Sequence, residues 1–413
     1  MTEGGQGGPK GLPDGRRGAV GSIPGTVKGL ALVSLFNDFA SEMVYPLLPA
    51  FVTGVLGGTA TSLAALDGAA EFTAALTKWW SGRLADRPGL RRPLILLGYL
   101  SAVLIRPLIS IANAAWQVIG FRVVDRIGKG LRTPARDAMI ADVTPPELRG
   151  RAFGLHRAAD HFGSIPGSLL AWWLLSHSFD VRRVLSWSAV PGVVAFAVLW
   201  FVLRGSGAEG RGGRAAPAST SVADQVGRVF WAPVLTLAAL VLFRLPETLL
   251  LLRLQQLGVA VATIPLVWAG LHVVRTLSSY PGGWLSDHLA PRDAILAGAL
   301  LFAAMAVVLA RALTPEGAIA TFLAIGLVAG LTESAERVMV TRLAPRRTGR
   351  GFGAYHAATG LAALPASLVF GEVYQHASGS AALRMSAVFL TLTALGWGVA
   401  SRLPAVRALG SGK

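Results

Sequence analysis

The stretch RGRAFG at residues 149–154 recurs in slightly altered form as TGRGFG at 348–353, about 200 residues further along the chain. Each copy is followed at the same distance by a second matching pair, SIPGS at 164–168 and ALPAS at 363–367. Because both pairs keep one spacing, the similarity extends over two whole loop-and-helix units. The chain is therefore predicted to consist of two related halves.

The composition indicates a membrane protein. Hydrophobic residues make up 53% of the chain, charged residues only 15%, and the mean hydropathy is +0.55. Apolar stretches close to the ~20 residues that cross a bilayer as a helix occur about twelve times. We predict helices at 29–54, 62–82, 93–112, 115–133, 152–175, 184–203, 229–257, 263–286, 293–313, 317–340, 351–375 and 382–402.

These helices predict an all-α integral membrane fold with twelve transmembrane helices in two pseudo-symmetric six-helix halves. The N-terminal half is expected at 29–203 and the C-terminal half at 229–402, joined by a flexible cytoplasmic linker at 204–228. Residues 1–28 are predicted to be a disordered cytoplasmic tail, and residues 403–413 a second, short cytoplasmic tail. Duplicated halves of this kind let a transporter expose one site alternately to the two sides of a membrane.

The net charge of +16 follows the predicted topology. Arginines cluster after helices 2, 4, 6 and 10, whereas the loops at 57–61 and 112–115 carry none. By the positive-inside rule, this pattern puts both termini in the cytoplasm of a bacterial inner membrane. The basic excess is thus assigned to topology and not to nucleic acid, and the expected partners are the bilayer, a small-molecule substrate and protons, with the protein a monomer.

Sequence signatures of enzymes are missing. No nucleotide-binding Gly-Lys-Ser/Thr loop and no Gly-x-Ser-x-Gly elbow is present, so neither ATP hydrolysis nor esterase chemistry is predicted. The chain has no cysteine, which removes thiolate metal sites and cysteine nucleophiles. No cofactor is expected, and an ion gradient is the predicted source of energy.

The loop after helix 2, GRLADRPG at 82–89, closely resembles the signature between helices 2 and 3 of the major facilitator superfamily. A weaker copy, GWLSD at 283–287, lies between helices 8 and 9, as the pseudo-symmetry of that family requires. The resemblance covers nearly the whole chain and implies the family's fold. It also implies a conformational latch, formed here by Gly82, Asp86, Arg87, Gly89, Arg91 and, in the second copy, Asp287.

Two further stretches, LFNDFASEMVYP at 35–46 and DRIGKGLR at 125–132, resemble a prokaryotic branch of the superfamily whose members are mostly known only as transporters. In helix 5, GSIPG at 163–167 is an incomplete version of a pattern associated with proton-coupled exporters. This similarity favours efflux. Small residues at these positions equally serve close helix packing.

Ionisable residues inside the predicted helices are the candidates for proton coupling, because such groups are unfavourable in hydrocarbon and mark pathways or sites. Asp38 and Glu42 lie four residues apart and therefore share one face of helix 1. Two carboxylates in a poorly solvated site resist simultaneous ionisation, so at least one is expected to carry a proton near neutral pH. Asp67 and Glu71 repeat the arrangement in helix 2. The alternative is that these acids pair with arginines and lock the helices together.

Basic residues dominate helices 3 and 4. Arg122, Arg126 and Lys129 fall along one stripe of helix 4, and Asp125 alone cannot neutralise them together with Arg106. The resemblance to the family implies a role for Arg122 in proton coupling. A stripe that stays partly unneutralised favours an anionic substrate, whereas full pairing with the acids favours a structural role.

Further polar residues are assigned to the substrate cavity. His156, Asp160 and His161 in helix 5 have spacings that suit a metal, but the His-Glu-x-x-His pattern of zinc proteases is missing, so no metal is expected. Interhelical hydrogen bonding is the alternative role for every member of this set. Besides these three and the helix 3 and 4 residues, the predicted cavity contains Asn37, Arg275, Glu333, Glu336, Tyr355 and His356.

The predicted function is secondary active transport, with proton-coupled efflux of an organic small molecule by alternating access as the leading interpretation. Uptake or exchange of an anionic metabolite is the alternative within the same class. A non-transporting membrane sensor or assembly factor is the alternative from another class.

Overall fold

A computed structural model describes residues 23–85, 87–144, 149–205, 228–288, 291–343 and 348–400. These residues form fourteen α-helices and no strand. The helices before residue 206 are α1 Gly25–Val44, α2 Ala60–Ala85, α3 Pro88–Leu108, α4 Ala115–Val143, α5 Arg149–Ser176, α6 Val181–Trp187 and α7 Ala189–Gly205. The later helices are α8 Arg228–Leu242, α9 Glu247–Gln256, α10 Ile264–His288, α11 Pro291–Arg311, α12 Pro315–Leu343, α13 Thr348–His376 and α14 Gly379–Ala400.

The fourteen helices form twelve membrane spans, because α6 and α7 together make the sixth span and α8 and α9 the seventh. Each span coincides with a helix predicted from the sequence. Seven spans in the described part of the chain are long and apolar enough to cross a membrane by length and composition alone. Helices α1, α2, α4, α5 and α12 are not among the seven. The first four of these contain most of the intramembrane charged residues of the N-terminal half.

Two spans depart from the regular helices that were predicted. The first continues beyond α1 as a 3₁₀ turn, Tyr45–Leu47, and a π-helical turn, Ala50–Val55. The prediction of one continuous helix at 229–257 is wrong, because the chain leaves the helix between Leu242 and Glu247. Pro246 has no backbone N–H to donate, and its ring disfavours helical geometry at the residue before it. The break leaves a helix N-terminus, that of α9, inside the C-terminal half.

The two halves contain equivalent helix–helix contacts, and further contacts join one half to the other. In the N-terminal half, α1 packs on α5 and α7, and α4 packs on α2 and α3. In the C-terminal half, α12 packs on α10 and α11, and α8 packs on α13. Across the halves, α2 packs on α13 and α5 on α10. The second and fifth spans of each half therefore build the interface.

Among the described residues, the two halves share an apolar core on one side of the membrane only. We call the side where α1 ends and α2 begins the far side, and the side where α1 begins the terminal side. One cluster of buried apolar residues joins both halves and includes the far-side residues Phe51, Leu63 and Leu251. A separate cluster around Leu30 and Tyr99 fills the terminal side of the N-terminal half. The structure is thus closed on its far side.

Candidate functional site

The carboxylate of Glu42 lies at the interface between the two halves. Helix α1 carries this residue in the N-terminal half, and its Oε2 accepts a hydrogen bond of 2.7 Å from the indole Nε1 of Trp268 in α10. One turn further along α10, His272 Nε2 lies 3.9 Å from the same oxygen. The Trp268 ring also packs on Tyr45, with 5.2 Å between the ring centroids. An acid of one half therefore accepts a hydrogen bond from an aromatic side chain of the other half and lies near an imidazole.

A second contact between the halves joins Asp67 of α2 to the start of α9. Asp67 Oδ2 accepts hydrogen bonds from Thr248 Oγ1 at 2.7 Å and from the Thr248 backbone N at 3.3 Å. The Tyr45 hydroxyl donates to Oδ1 of the same carboxylate at 3.3 Å. Since Thr248 belongs to the first turn of α9, the carboxylate caps a helix N-terminus, where the helix dipole favours a negative charge. The break in the seventh span makes this contact possible.

A third far-side contact connects α2 with α13, where the Ala60 backbone N donates to Gln375 Oε1 at 3.0 Å. All three contacts lie on the side where the apolar core is shared. Polar and apolar contacts therefore close the same side of the protein.

The core of the N-terminal half contains a compact network of charged residues. Arg106 donates from Nε to Asp125 Oδ1 at 3.0 Å and from Nη1 to the carbonyl oxygen of Asn37 at 2.7 Å. Arg122 Nη1 lies 3.7 Å from Asp125 Oδ2, and its guanidinium lies 5.4 Å from the ring centroid of Tyr45. Arg122 and Asp125 are only 2% and 1% exposed. One carboxylate is thus shared by two guanidinium groups.

The acids of α1 and α2 lie within the electrostatic reach of the α4 stripe. The strongest attraction on Arg126 comes from Glu71, which is exposed. Lys129 is attracted both by Glu71 and by Asp38. Asp38 Oδ1 also accepts a hydrogen bond of 2.9 Å from Asn37 Nδ2. The structure therefore brings the predicted acidic and basic residues of the N-terminal half into one region.

The helix 5 candidates face α1. Asp160 accepts a hydrogen bond from the Ser34 hydroxyl, and His156 Nδ1 lies 3.6 Å from Asp160 Oδ2. His156 is buried and His161 is half-buried. Among the described residues, no group of three or more His, Cys, Asp and Glu side chains is placed to hold a metal ion.

Other candidates in the C-terminal half lie apart from this region. The Tyr355 hydroxyl donates to Glu336 Oε2 at 2.6 Å, and the exposed His356 ring packs beside that tyrosine, with 5.2 Å between the ring centroids. Arg275 forms an ion pair with Glu247, and its guanidinium lies 5.7 Å from the ring centroid of Trp268. Arg275 thus borders the Glu42 contact. The side chain of Glu333 lies outside the described residues.

Only some of the residues predicted to form the latch lie among those that the structure describes. Arg91 donates from Nε to the carbonyl oxygen of Ala85 at 2.8 Å and forms an ion pair with Asp142 at the end of α4. Arg87 precedes the first residue of α3 and is exposed. A Cβ atom at Gly82 or Gly89 would meet no neighbour, so nothing in the surrounding packing requires glycine there. Asp86 and the side chain of Asp287 lie outside the described residues.

Sequence reasoning missed several residues that complete these contacts. Trp268 and Thr248 carry no charge, so a search for ionisable groups inside the membrane does not find them. Glu247 follows a proline in an apolar run, and Pro246 was the available signal for a helix N-terminus there. Asp142 lies near the end of α4, beyond the predicted span.

The bundle defines a class of protein. Twelve spans in two related halves, with polar and charged residues meeting where the halves join, form a secondary transporter fold. A sequence model of the Major Facilitator Superfamily matches residues 30–364, and the chain belongs to this superfamily. The protein is therefore a multi-pass membrane transporter of small molecules and not an enzyme.

Relatives with known sequences are similar over all or part of the chain. An uncharacterised MFS-type transporter of Methanocaldococcus jannaschii is 26% identical over 362 residues, covering 84% of this chain and 87% of that protein. The multidrug resistance protein MdtH of Photorhabdus laumondii is 29% identical over 161 residues, which is 39% of each chain.

Solved structures share the fold. A bacterial homologue of the human lysosomal transporter Spinster, in an inward-facing and unoccupied conformation, matches with a TM-score of 0.65 and 17% identity, covering 95% of this chain and 96% of that one. A POT family transporter in complex with a thioalcohol-conjugated peptide matches with a TM-score of 0.75 and 11% identity, covering 91% and 96%.

Replacing Thr248 with valine is expected to open the far side more often. The change keeps the size of the side chain but removes the hydroxyl that donates to Asp67. Loss of about 1 kcal/mol of hydrogen bonding shifts the equilibrium roughly fivefold toward the open state. The distance between the halves can be measured with spin labels on two introduced cysteines, at the exposed far-side residues Asn113 and Leu313. The chain has no native cysteine, so only these two positions are labelled.

Thr391→Val is the matched control, because the Thr391 hydroxyl donates to Ala387 within α14. This variant is expected to keep the parent distance distribution. An unchanged distribution in Thr248→Val would show that the Asp67 contact does not hold the far side closed.

Proposed function

We propose that the protein is a proton-coupled exporter of organic small molecules, working as a monomer by alternating access. The observation that carries the proposal is the hydrogen bond between Glu42 of one half and Trp268 of the other. An intramembrane acid that takes part in closing one side can couple its own protonation to the conformational change. The proposed location is a bacterial inner membrane with both termini in the cytoplasm, so the far side is the outer side.

Protonation of Glu42 changes the strength of this contact. An ionised carboxylate accepts a charge-assisted hydrogen bond, which is stronger than one to a neutral carboxyl group. A proton that reaches Glu42 through the open far side therefore weakens the contact with Trp268 and keeps the halves apart there until the proton moves on. Asp38 lies one turn away on the same face of α1, and we propose that the two acids pass the proton inward.

The remaining candidates take supporting roles in this proposal. Asp67 and Glu71 form the second proton-coupling pair, in which Asp67 also helps to close the far side. Arg91, bound to Asp142, belongs to the latch on the terminal side. The proposed substrate cavity contains Asn37, Arg106, Arg122, Asp125, Arg126, His156, Asp160, His161, Arg275, Glu333, Glu336, Tyr355 and His356.

Efflux as the direction rests on two observations. The similarity to the multidrug resistance protein MdtH covers part of the chain, and the helix 5 stretch GSIPG resembles the exporter pattern. Inside-out vesicles that contain the protein are expected to accumulate the dye ethidium when a proton gradient is applied. A protonophore should abolish this accumulation. If the protein transports no member of a panel of organic cations, anions and neutral compounds in either direction, the proposed function is overturned.

An anionic substrate is a second candidate, because two arginines of α4 have hydrogen-bond donors that are not used. In the described part of the chain, the Nε atoms of Arg122 and Arg126 are buried and have no hydrogen-bond partner. Asp125 is already shared between Arg106 and Arg122. Donor capacity therefore remains for a carboxylate-bearing substrate.

Arg126→Lys separates the two candidates. If the substrate is an anion, exchange of a forked donor for a point charge should weaken its binding roughly tenfold. If Arg126 serves only as a partner of Glu71, the change should lower the melting temperature and leave selectivity unchanged. The measurement is stabilisation of the parent protein and the variant by 3-phenylpropionate and 3-phenylpropylammonium, two ions of similar size and opposite charge. A parent protein stabilised by the cation alone would rule out the anionic candidate.

A further inference from the structure

The C-terminal half contains a small cavity beside the break between α8 and α9. Its volume is about 40 Å³, which exceeds the ~10–15 Å³ that a single water molecule requires. Arg244 and Glu247 line it from the break and Arg275 from α10, while Phe302 and Phe322 supply apolar walls from α11 and α12. The cavity is therefore lined by helices of one half, and Arg275 borders both the cavity and Trp268 of the Glu42 contact.

The charges around this cavity do not balance. Arg275 forms an ion pair with Glu247, so these two charges compensate each other. Arg244 forms no ion pair within the described part of the chain, and its guanidinium lies 5.3 Å from the ring centroid of Phe302. Its Nε atom is buried and has no hydrogen-bond partner among the described residues. One positive charge with an unused donor thus borders an apolar cavity.

Among the described residues, no neighbouring group supplies the missing negative charge. Asp67 is engaged by Thr248, and the basic residue that acts most strongly on it is Arg122. The C-terminal end of α8 contributes a partial negative charge of only about half a unit. An unpaired charge inside a membrane protein is unfavourable unless a partner is provided.

We propose that this cavity binds a small monovalent anion on the guanidinium of Arg244. The Nε–H group supplies a charge-assisted hydrogen bond, and the single uncompensated charge selects a monovalent ion. The volume suits chloride or the carboxylate group of a small organic acid. Both sources share this chemistry, and the experiment distinguishes them.

The test measures the melting temperature of the purified full-length protein in detergent, in sodium sulfate, the salt of a divalent anion, at constant ionic strength. Chloride, bromide or acetate replaces part of the sulfate. The parent protein is expected to gain about 3 °C or more at saturation. Arg244→Gln should lose this gain. Arg253→Gln is the matched control and should keep it, because Arg253 also lies in the seventh span and also has a buried Nε without a partner but does not line the cavity.

Each outcome decides the matter. Stabilisation by chloride and bromide indicates a free inorganic anion, and stabilisation by acetate alone indicates an organic carboxylate. No anion-dependent gain in the parent protein, or an equal gain in Arg244→Gln, overturns the proposal. If Arg244→Gln cannot be purified in folded form, anomalous scattering from bromide-soaked crystals of the parent protein replaces that comparison. A bromide peak beside Arg244 supports the site, and the absence of such a peak refutes it. Neither the melting temperature nor the anomalous peak depends on transport. Failure of the anion-binding proposal can therefore be distinguished from failure of the proposed transport function.

Discussion

Glu42→Gln is expected to abolish proton-driven accumulation of substrate while leaving a folded, membrane-inserted protein. Glutamine keeps the shape of the side chain and still accepts a hydrogen bond from Trp268, but it cannot bind and release a proton. Moving one charge through the membrane field yields ~2.3 kcal/mol per 100 mV, and each ~1.4 kcal/mol sustains a tenfold ratio. For one proton exchanged against an uncharged substrate, a coupled transporter therefore holds a gradient of roughly 40-fold at 100 mV, and the variant should hold none.

Accumulation in proteoliposomes under an imposed membrane potential measures this difference. Asp38→Asn is expected to behave in the same way, since Asp38 shares the stripe. Glu372→Gln is the matched control, because Glu372 lies at the exposed end of α13 beside His376. Full accumulation by both Glu42→Gln and Asp38→Asn would refute coupling through helix α1.

Gly167→Val is expected to cause a large loss of stability. A Cβ atom at Gly167 would overlap the carbonyl oxygen of Phe39, and one at Gly163 would overlap that of Leu35. Both obstacles are backbone atoms of α1, so they cannot move without displacing the helix. Overpacking of this kind lowers the free energy of unfolding by about 3 kcal/mol or more.

Thermal unfolding in detergent is the measurement. Gly120→Val in α4 is the matched control, because a Cβ there meets no atom within 4 Å, and it should unfold near the parent temperature. Equal melting temperatures for the two variants would contradict the close approach of α1 and α5. The glycines of GSIPG therefore have a packing role in this protein, whatever further role they have in export.

The sequence was sufficient for the fold because long apolar runs and a repeated register are properties of the chain itself. The sequence did not predict the break in the seventh span at residues 243–246, because the surrounding leucines and valines indicated an uninterrupted helix despite Pro246. Local apolar content predicts that a segment lies in the membrane. It does not predict where the backbone leaves the helix.

The candidate site could be predicted only in part, because charge marks a residue and its partners depend on packing between distant spans. Asp67 and Glu71 look equivalent to Asp38 and Glu42 by spacing. In the structure, Asp67 meets Thr248 and Tyr45, whereas Glu71 is exposed and attracts Arg126. Trp268 and Gln375 gain their importance from the opposite half, and no pattern within their own helices indicates it.

Among the described residues, the halves share an apolar core only on the far side, and this makes the conformational balance sensitive to temperature. Opening that side brings buried side chains such as Leu63 and Leu251 into contact with water, which raises the heat capacity of the protein. Hydrophobic association weakens on cooling, so the population of the open form should rise in the cold. A van't Hoff plot of the two conformations should therefore be curved, and the curvature measures how much apolar surface each cycle exposes.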